Sequence, residues 1–320
     1  MNAQWYWAVI ATLVVTPCAA RADERRPAPE PTRVLASVGD VLITQADVEL
    51  SLGRAGTAQA DRPPIPERIV MAAVDIIASQ RQALETLKRS NKIASDAEID
   101  QWLVDNSPPD LKLTADQALT ARASAAHVTK ANYRAFLTFR LTWQSYLQNT
   151  VTDKNLEKHF ANQKSRFDGT RFQIEHLWIA APPGKSEQRT AAHKRMREVR
   201  QRILSDELDF EAAGKELNGD EGQKLAAAQW ITGSGPLMPA IVDLVVQTPV
   251  DTISEPFDSA QAVHLVRVIA IEPGARSLDE AKEEVRSHML LYLLDFLAKP
   301  AAKEMPLVWH AIPTRRASER

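Results

Sequence analysis

Two short runs rich in β-branched and aromatic residues, 171–179 and 261–269, constrain the fold more than any other part of the chain. Both are bounded by Pro, Gly and Asp and read as buried strands. Side chains alternate along a strand, so Ile174, His176 and Trp178 share one face of the first run. His264, Val266 and Val268 share one face of the second. Each strand therefore sets one imidazole among apolar neighbours. If the strands are neighbours, the two rings can meet.

Between them the pattern alternates. A basic helix is predicted over 186–207, a shorter one over 209–217, a polar loop over 218–225, a strand over 226–231 and a helix over 238–246. A strand starts again at 253–257. This order predicts an α+β domain around a small antiparallel or mixed sheet, residues 170–272.

The chain ahead of it reads differently. Two apolar runs flank Gly39 and Asp40 as a hairpin, and Thr44 then caps a helix. A long amphipathic helix over 67–91 carries Ile69, Ala73, Ile76, Ile77, Leu84 and Leu87 on one stripe. Ser95 with Glu98, and Thr114 with Gln117, are capping boxes for two more helices. Helices over 132–148 and 152–167 follow, so residues 33–169 are expected to form an α-helical domain. Ser277 and Glu280 open a last helix, predicted to end before Pro300. Val285, Met289, Leu293 and Leu297 make it too apolar to stand alone, so residues 273–313 are expected to pack on the N-terminal domain, leaving 314–320 as a polar tail.

Residues 1–22 are expected to be a targeting segment, with a short apolar run over 5–15 and a small-x-small cleavage site at 20–22. Its n-region lacks Lys and Arg, and an uncleaved anchor is the alternative. Residues 23–32, with three prolines, read as a linker. The single cysteine, Cys18, falls inside the leader, where Pro17 makes a poor acylation signal. The mature chain then holds no thiol, which excludes disulfides, thiol nucleophiles and thiolate zinc sites. A net charge of −2 gives no reason to expect nucleic acid as a partner.

The chain resembles exported chaperones that carry a parvulin-type peptidyl-prolyl isomerase domain, the SurA-like and PpiC/PrsA-like proteins. Residues 34–47 are similar to the opening of their chaperone domain and 151–170 to the lead-in to their isomerase domain. Residues 172–179 resemble the first parvulin strand, and 253–257 with 263–268 the parvulin ending. The resemblance implies His176 and His264 as the catalytic histidine pair. It implies Trp230, Leu237, Met238 and Ile241 as residues lining a proline pocket. Where such domains have Gly-Gly-Asp-Leu-Gly-Trp, residues 225–230 align, so the acidic position falls on Ala227 and the polar group is lost.

Isomerisation of an X-Pro bond needs no cofactor or metal, only a site that binds the twisted amide better than either planar form. The expected partners are unfolded or extended exported polypeptides with X-Pro segments, in the periplasm. One reading is an isomerase and chaperone with a weakened site. The alternative is a non-catalytic holdase whose parvulin domain only binds peptide or acts as a scaffold. An assembly factor for a single envelope client is a third. The other histidines, His193 among them, are expected to be ordinary surface or interface residues.

Overall fold

The computed structural model describes residues 33–54, 65–182, 185–233, 239–259 and 261–310. The leader and linker, Leu237, Met238 and the polar tail lie outside the described residues. The chain divides into two compact units. One is Asp153–Arg286; the other joins residues up to Thr152 with those from Ser287 on.

The second unit begins with a hairpin of β1 (Val34–Val38) and β2 (Val41–Thr44). Gly39 turns the chain with φ +54°, a conformation that L side chains rarely adopt. A third strand, β8 (Leu307–Trp309), pairs antiparallel with β1, giving the order β2-β1-β8. The sequence reading did not contain this strand. Three residues carry too little alternation to register, and the pairing that creates it joins the two ends of the chain.

Thr44 caps α1 (Gln45–Ser51) in a reciprocal box: its hydroxyl accepts from the Asp47 N–H, and the Asp47 carboxylate accepts from the Thr44 backbone. Helix α2 (Glu67–Arg89) lays Val70, Ala73, Val74 and Ile77 against Leu35, Val38 and Ile43. Helices α3 (Asp96–Asp105), α4 (Ala115–Ala125) and α5 (Lys130–Thr150) enclose a second cluster around Ile99, Leu103, Leu119 and Leu137. The capping boxes at Ser95 and Thr114 are present.

The first unit opens with α6 (Asp153–Asn162) and α7 (Lys164–Phe167). The single helix expected over 152–167 is thus broken, at Gln163, whose φ of −130° leaves the helical region. The sheet has β3 (Arg171–Ala180), β4 (Gln229–Thr232), β5 (Thr252–Ile253), β6 (Phe257–Asp258) and β7 (Ala262–Glu272). Its order is β4-β3-β7-β5, with β6 also on β7, and every pairing is antiparallel.

Both faces of the sheet are covered. On one, Leu177, Val263 and Leu265 bury against Met196, Val199 and Ile203 of α8 (Ser186–Leu204) and Phe210 of α9 (Phe210–Ala226). On the other, Phe172, Ile174, Val266 and Val268 meet Ile241 and Val245 of α10 (Pro239–Val245). The loop expected over 218–225 is helical instead. Asn218 and Gly219 kink α9, and the helix resumes to Ala226. Gly219, at φ +68°, takes the conformation that makes the kink possible.

Helix α11 (Leu278–Ala302) runs through Pro300 rather than stopping before it. Proline in the last turn forfeits a single hydrogen bond and keeps a helical φ, while buried Ala298 and Ala301 on either side hold the turn.

Candidate functional site

The register of β3 on β7 decides the geometry. His176 stands opposite Val266, and Trp178 opposite His264, so the two histidines are diagonal neighbours on one face. His176 Nε2 lies 2.9 Å from His264 Nδ1, with ring centroids 5.1 Å apart and planes 20° from parallel. Phe257 of β6 stacks on the far side of His264 at 5.3 Å. His264 is buried and His176 half-buried.

The chain of hydrogen bonds extends one residue further. Ser259 Oγ is 2.8 Å from His264 Nε2 and also accepts from the backbone N–H groups of Gln261 and Ala262. A hydroxyl has two lone pairs, so with both engaged its proton goes to His264 Nε2, the shortest of its contacts. This network assigns the proton of His264 to Nδ1, which donates to His176 Nε2. His176 then carries its own proton on Nδ1, which has no hydrogen-bond partner among the described residues.

Both rings are neutral at ordinary pH. Burial, then the neighbouring His264, pushes His176 from 6.5 down to about 4. Burial also pushes His264 to about 4, with Asp258 opposing and Arg189 assisting. The pair is a polar but uncharged line across an apolar face, with Ile174, Val266, Val268 and Ile241 in the cluster beside it. Among the described residues no cluster of His, Cys, Asp or Glu has the makings of a metal site.

Of the expected site residues, the fold brings together His176 and His264, and places Ile241, 1% exposed, in the cluster with Ile174 and Val266 on the same face of the sheet. Trp230 goes elsewhere. It pairs with Gln173 on β4, whose next residue, Ile231, faces the cluster, so the indole takes the opposite side of the strand. There it is 38% exposed beneath the Arg171 guanidinium, 4.8 Å from the ring centroid. Ala227 is the C-cap residue of α9 and lies just before β4. On the edge of β3 beyond β4, Asn218 donates to the Trp178 carbonyl at 2.7 Å, satisfying an acceptor that no strand covers.

Three contributors escaped the sequence reading: Ser259, Phe257 and His193. His193 is no ordinary surface residue, since its Nε2 lies 2.9 Å from Asp258 beside the site. A small hydroxyl residue five positions before a strand histidine is too common to signal anything alone.

Residues 151–283 match the family model of the PPIC-type PPIASE domain. The chain carries a parvulin-type PPIase domain. Unit Asp153–Arg286 nearly coincides with the matched residues. Both the compact unit and the matched residues take in α6 and α7. Contacts explain why. The Arg166 guanidinium, 5% exposed, pairs with Asp243 of α10, and Gly233 packs on the Arg166 backbone, where a Cβ would meet the carbonyl oxygen at 2.2 Å.

No curated protein matches the chain significantly. Solved structures with a similar course include peptidylprolyl isomerase PrsA of Bacillus anthracis (14% identity, 71% of this chain and 96% of that one, TM-score 0.36). Foldase PrsA of Streptococcus pneumoniae is 12% identical over 85% and 92%, with TM-score 0.37. A SurA-like chaperone of Campylobacter jejuni is 12% identical over 87% and 99%, with TM-score 0.25. These superpositions are loose, and the family-model match is what identifies the domain.

The Arg166–Asp243 pair has a measurable consequence. Burial lowers the Arg166 pKa while Asp243 opposes it, so the charge is held by its partner. Asp243→Ala leaves a buried guanidinium and is expected to cost about 2 kcal/mol, below the full buried-pair value because Asp243 is half exposed. Urea unfolding checks this, with Arg166→Met/Asp243→Ala recovering part of the loss.

Proposed function

We propose that this protein is an exported foldase whose PPIase domain catalyses cis–trans isomerisation of X-Pro bonds in extended polypeptides. The observation that carries the reading is the neutral His176–His264 pair, closed by Ser259 and set on the Ile174, Val266 and Ile241 face. A planar amide loses its resonance as it twists, and a dry apolar surface favours that less polarised state over the planar one. The His176 Nδ1–H supplies a fixed hydrogen-bond donor for a flanking carbonyl without bringing a charge into the site. The lost acidic group at Ala227 implies a reduced rate.

Chaperone binding belongs to the other unit in this reading. Leu50, Ile77, Leu84, Phe136 and Phe139 line a cavity of about 70 Å³ there, with Asp47 and Arg81 among its polar residues. That volume suits a side chain rather than a small-molecule ligand. Tyr292 and Phe296 of α11 stack at 6.3 Å and are 49% and 57% exposed, further apolar surface for an extended segment. Export rests on the sequence of residues 1–22. Among the described residues no helix is long and apolar enough to cross a membrane.

The test is refolding of a substrate protein whose slow phase is limited by an X-Pro bond, which takes tens of seconds unaided. Catalytic amounts of this protein are expected to accelerate that phase. Suppressed aggregation with an unchanged slow phase would point to the binding-only alternative.

A further inference from the structure

The hydroxyl that closes the histidine chain is itself held from outside the site. Ser259 follows β6, and Asp258 is the last residue of that strand. Arg189, in the first turns of α8, donates from Nη1 to Asp258 Oδ1 at 2.6 Å and to the Ser259 carbonyl at 3.0 Å. Its Nη2 donates to the Ala181 carbonyl at 2.5 Å, tying the same guanidinium to the end of β3. One turn further along α8, His193 meets the other carboxylate oxygen of Asp258. Burial alone would raise the Asp258 carboxyl, yet the hydrogen bonds and charges of His193 and Arg189 hold it below its usual value.

We propose that Arg189 is a positioning residue for the histidine pair. It grips Asp258 and the Ser259 backbone, keeps the Ser259 hydroxyl on His264 Nε2, and so fixes which nitrogen of each ring carries the proton. Arg189 acts through the β6–β7 turn, by its bonds to Asp258 and the Ser259 carbonyl. A guanidinium suits the task because its planar fork reaches three acceptors at once, the Asp258 carboxylate, the Ser259 carbonyl and the Ala181 carbonyl just past β3. Without it, the turn keeps its hydrogen bond from Ser259 N–H to the Ala262 carbonyl, and His193 still holds Asp258, but the Ser259 backbone loses its direct bond to α8. The Ser259 hydroxyl is then free to turn to the Ala262 carbonyl, 3.3 Å away, and His264 to take either tautomer.

The catalytic half of this inference rests on the isomerase reading; the tautomer half does not. The experiment records long-range ¹H–¹⁵N spectra of the full chain labelled at histidine, at pH 7.5, with the His264 signals assigned by their absence in His264→Ala. Wild type is expected to show His264 protonated at Nδ1. Arg189→Gln is expected to shift its two nitrogens toward averaged values and to lower kcat on an X-Pro peptide about 10-fold, with KM within about twofold. Arg189→Lys, which keeps one donor on the turn, is expected to restore most of the wild-type spectrum. If Arg189→Gln does not fold, Asp258→Asn and Ser259→Ala cut the same chain lower down and carry the same expected signature. An unchanged His264 tautomer in a folded variant overturns the proposal. A shifted tautomer in a protein whose wild type has no isomerase activity upholds the positioning and overturns the isomerase reading instead.

Discussion

Replacing His264 by alanine is expected to lower kcat/KM on X-Pro peptides about 100-fold and to destabilise the PPIase domain by roughly 2–4 kcal/mol. The two effects have one origin. The ring is 3% exposed and uses both nitrogens, one on His176 and one on Ser259. Its loss deprives two half-buried polar partners, His176 Nε2 and the Ser259 hydroxyl, of a hydrogen bond, at about 1–2 kcal/mol each, and removes the surface on which Phe257 stacks. Part of that cost is recovered as water enters the space, which keeps the total below the sum. His176→Ala removes only one end of the chain and is half-buried, so it is expected to lose as much activity and less stability. Peptide kinetics and urea unfolding on both variants check the contrast.

Acidification is the second large effect. Each histidine has a folded pKa of about 4 against an ordinary 6.5. Between those values the unfolded chain binds protons that the folded chain refuses, so stability rises with pH across that window. The contribution of the pair is complete above about pH 6.5, drains away as the pH falls toward 4, and levels off below it. At most it is on the order of 3 kcal/mol per ring. Urea midpoints of the PPIase domain from pH 8 to pH 4 are expected to be flat above 7 and to fall below 6.5. His176→Ala is expected to flatten that slope by about half, because one of the two titrating rings is gone.

The sequence carried the site's axis and missed its support. Alternation along residues 171–179 and 261–269 placed both histidines on apolar faces, and antiparallel pairing then makes them diagonal neighbours. The capping boxes at Ser95, Thr114 and Ser277 were legible because their chemistry is local. What failed was whatever depends on register or on distant partners. Trp230 was assigned by its position in an aligned motif, but pairing with Gln173 turns it to the opposite side of β4 from Ile231. The stretch 218–225 is polar and reads as loop, yet close packing of Gly214 on Gly222 across the kink allows it to be helical. Strand β8 exists only because β1 lies beside it. Arg189 lies in a helix whose sequence reads only as basic, and His193 reads as an ordinary surface or interface residue. Their partner Asp258 is 69 and 65 positions away, and no local pattern links them.

Arg200 shows the same principle on the same helix. It donates to the Ser254 and Ile253 carbonyls and pairs with Glu255, so α8 staples the β5 strand as Arg189 staples β6. Two arginines of this basic helix hold strand ends, while Arg195 and Arg202 pair with Glu216 of α9. That division accounts for a site with no charged group in its histidine chain: the charges that organise it sit one residue further out.

The most direct measurement is two-dimensional exchange spectroscopy on a short X-Pro peptide, with wild-type protein at one-hundredth of the peptide concentration. Cis and trans resonances exchange too slowly alone to give cross-peaks on this timescale. The expected result is cross-peaks in the presence of wild type and none with His264→Ala at the same concentration. Absence of cross-peaks with folded wild-type protein across a panel of residues before proline would contradict the claim that this histidine pair is a working isomerase site.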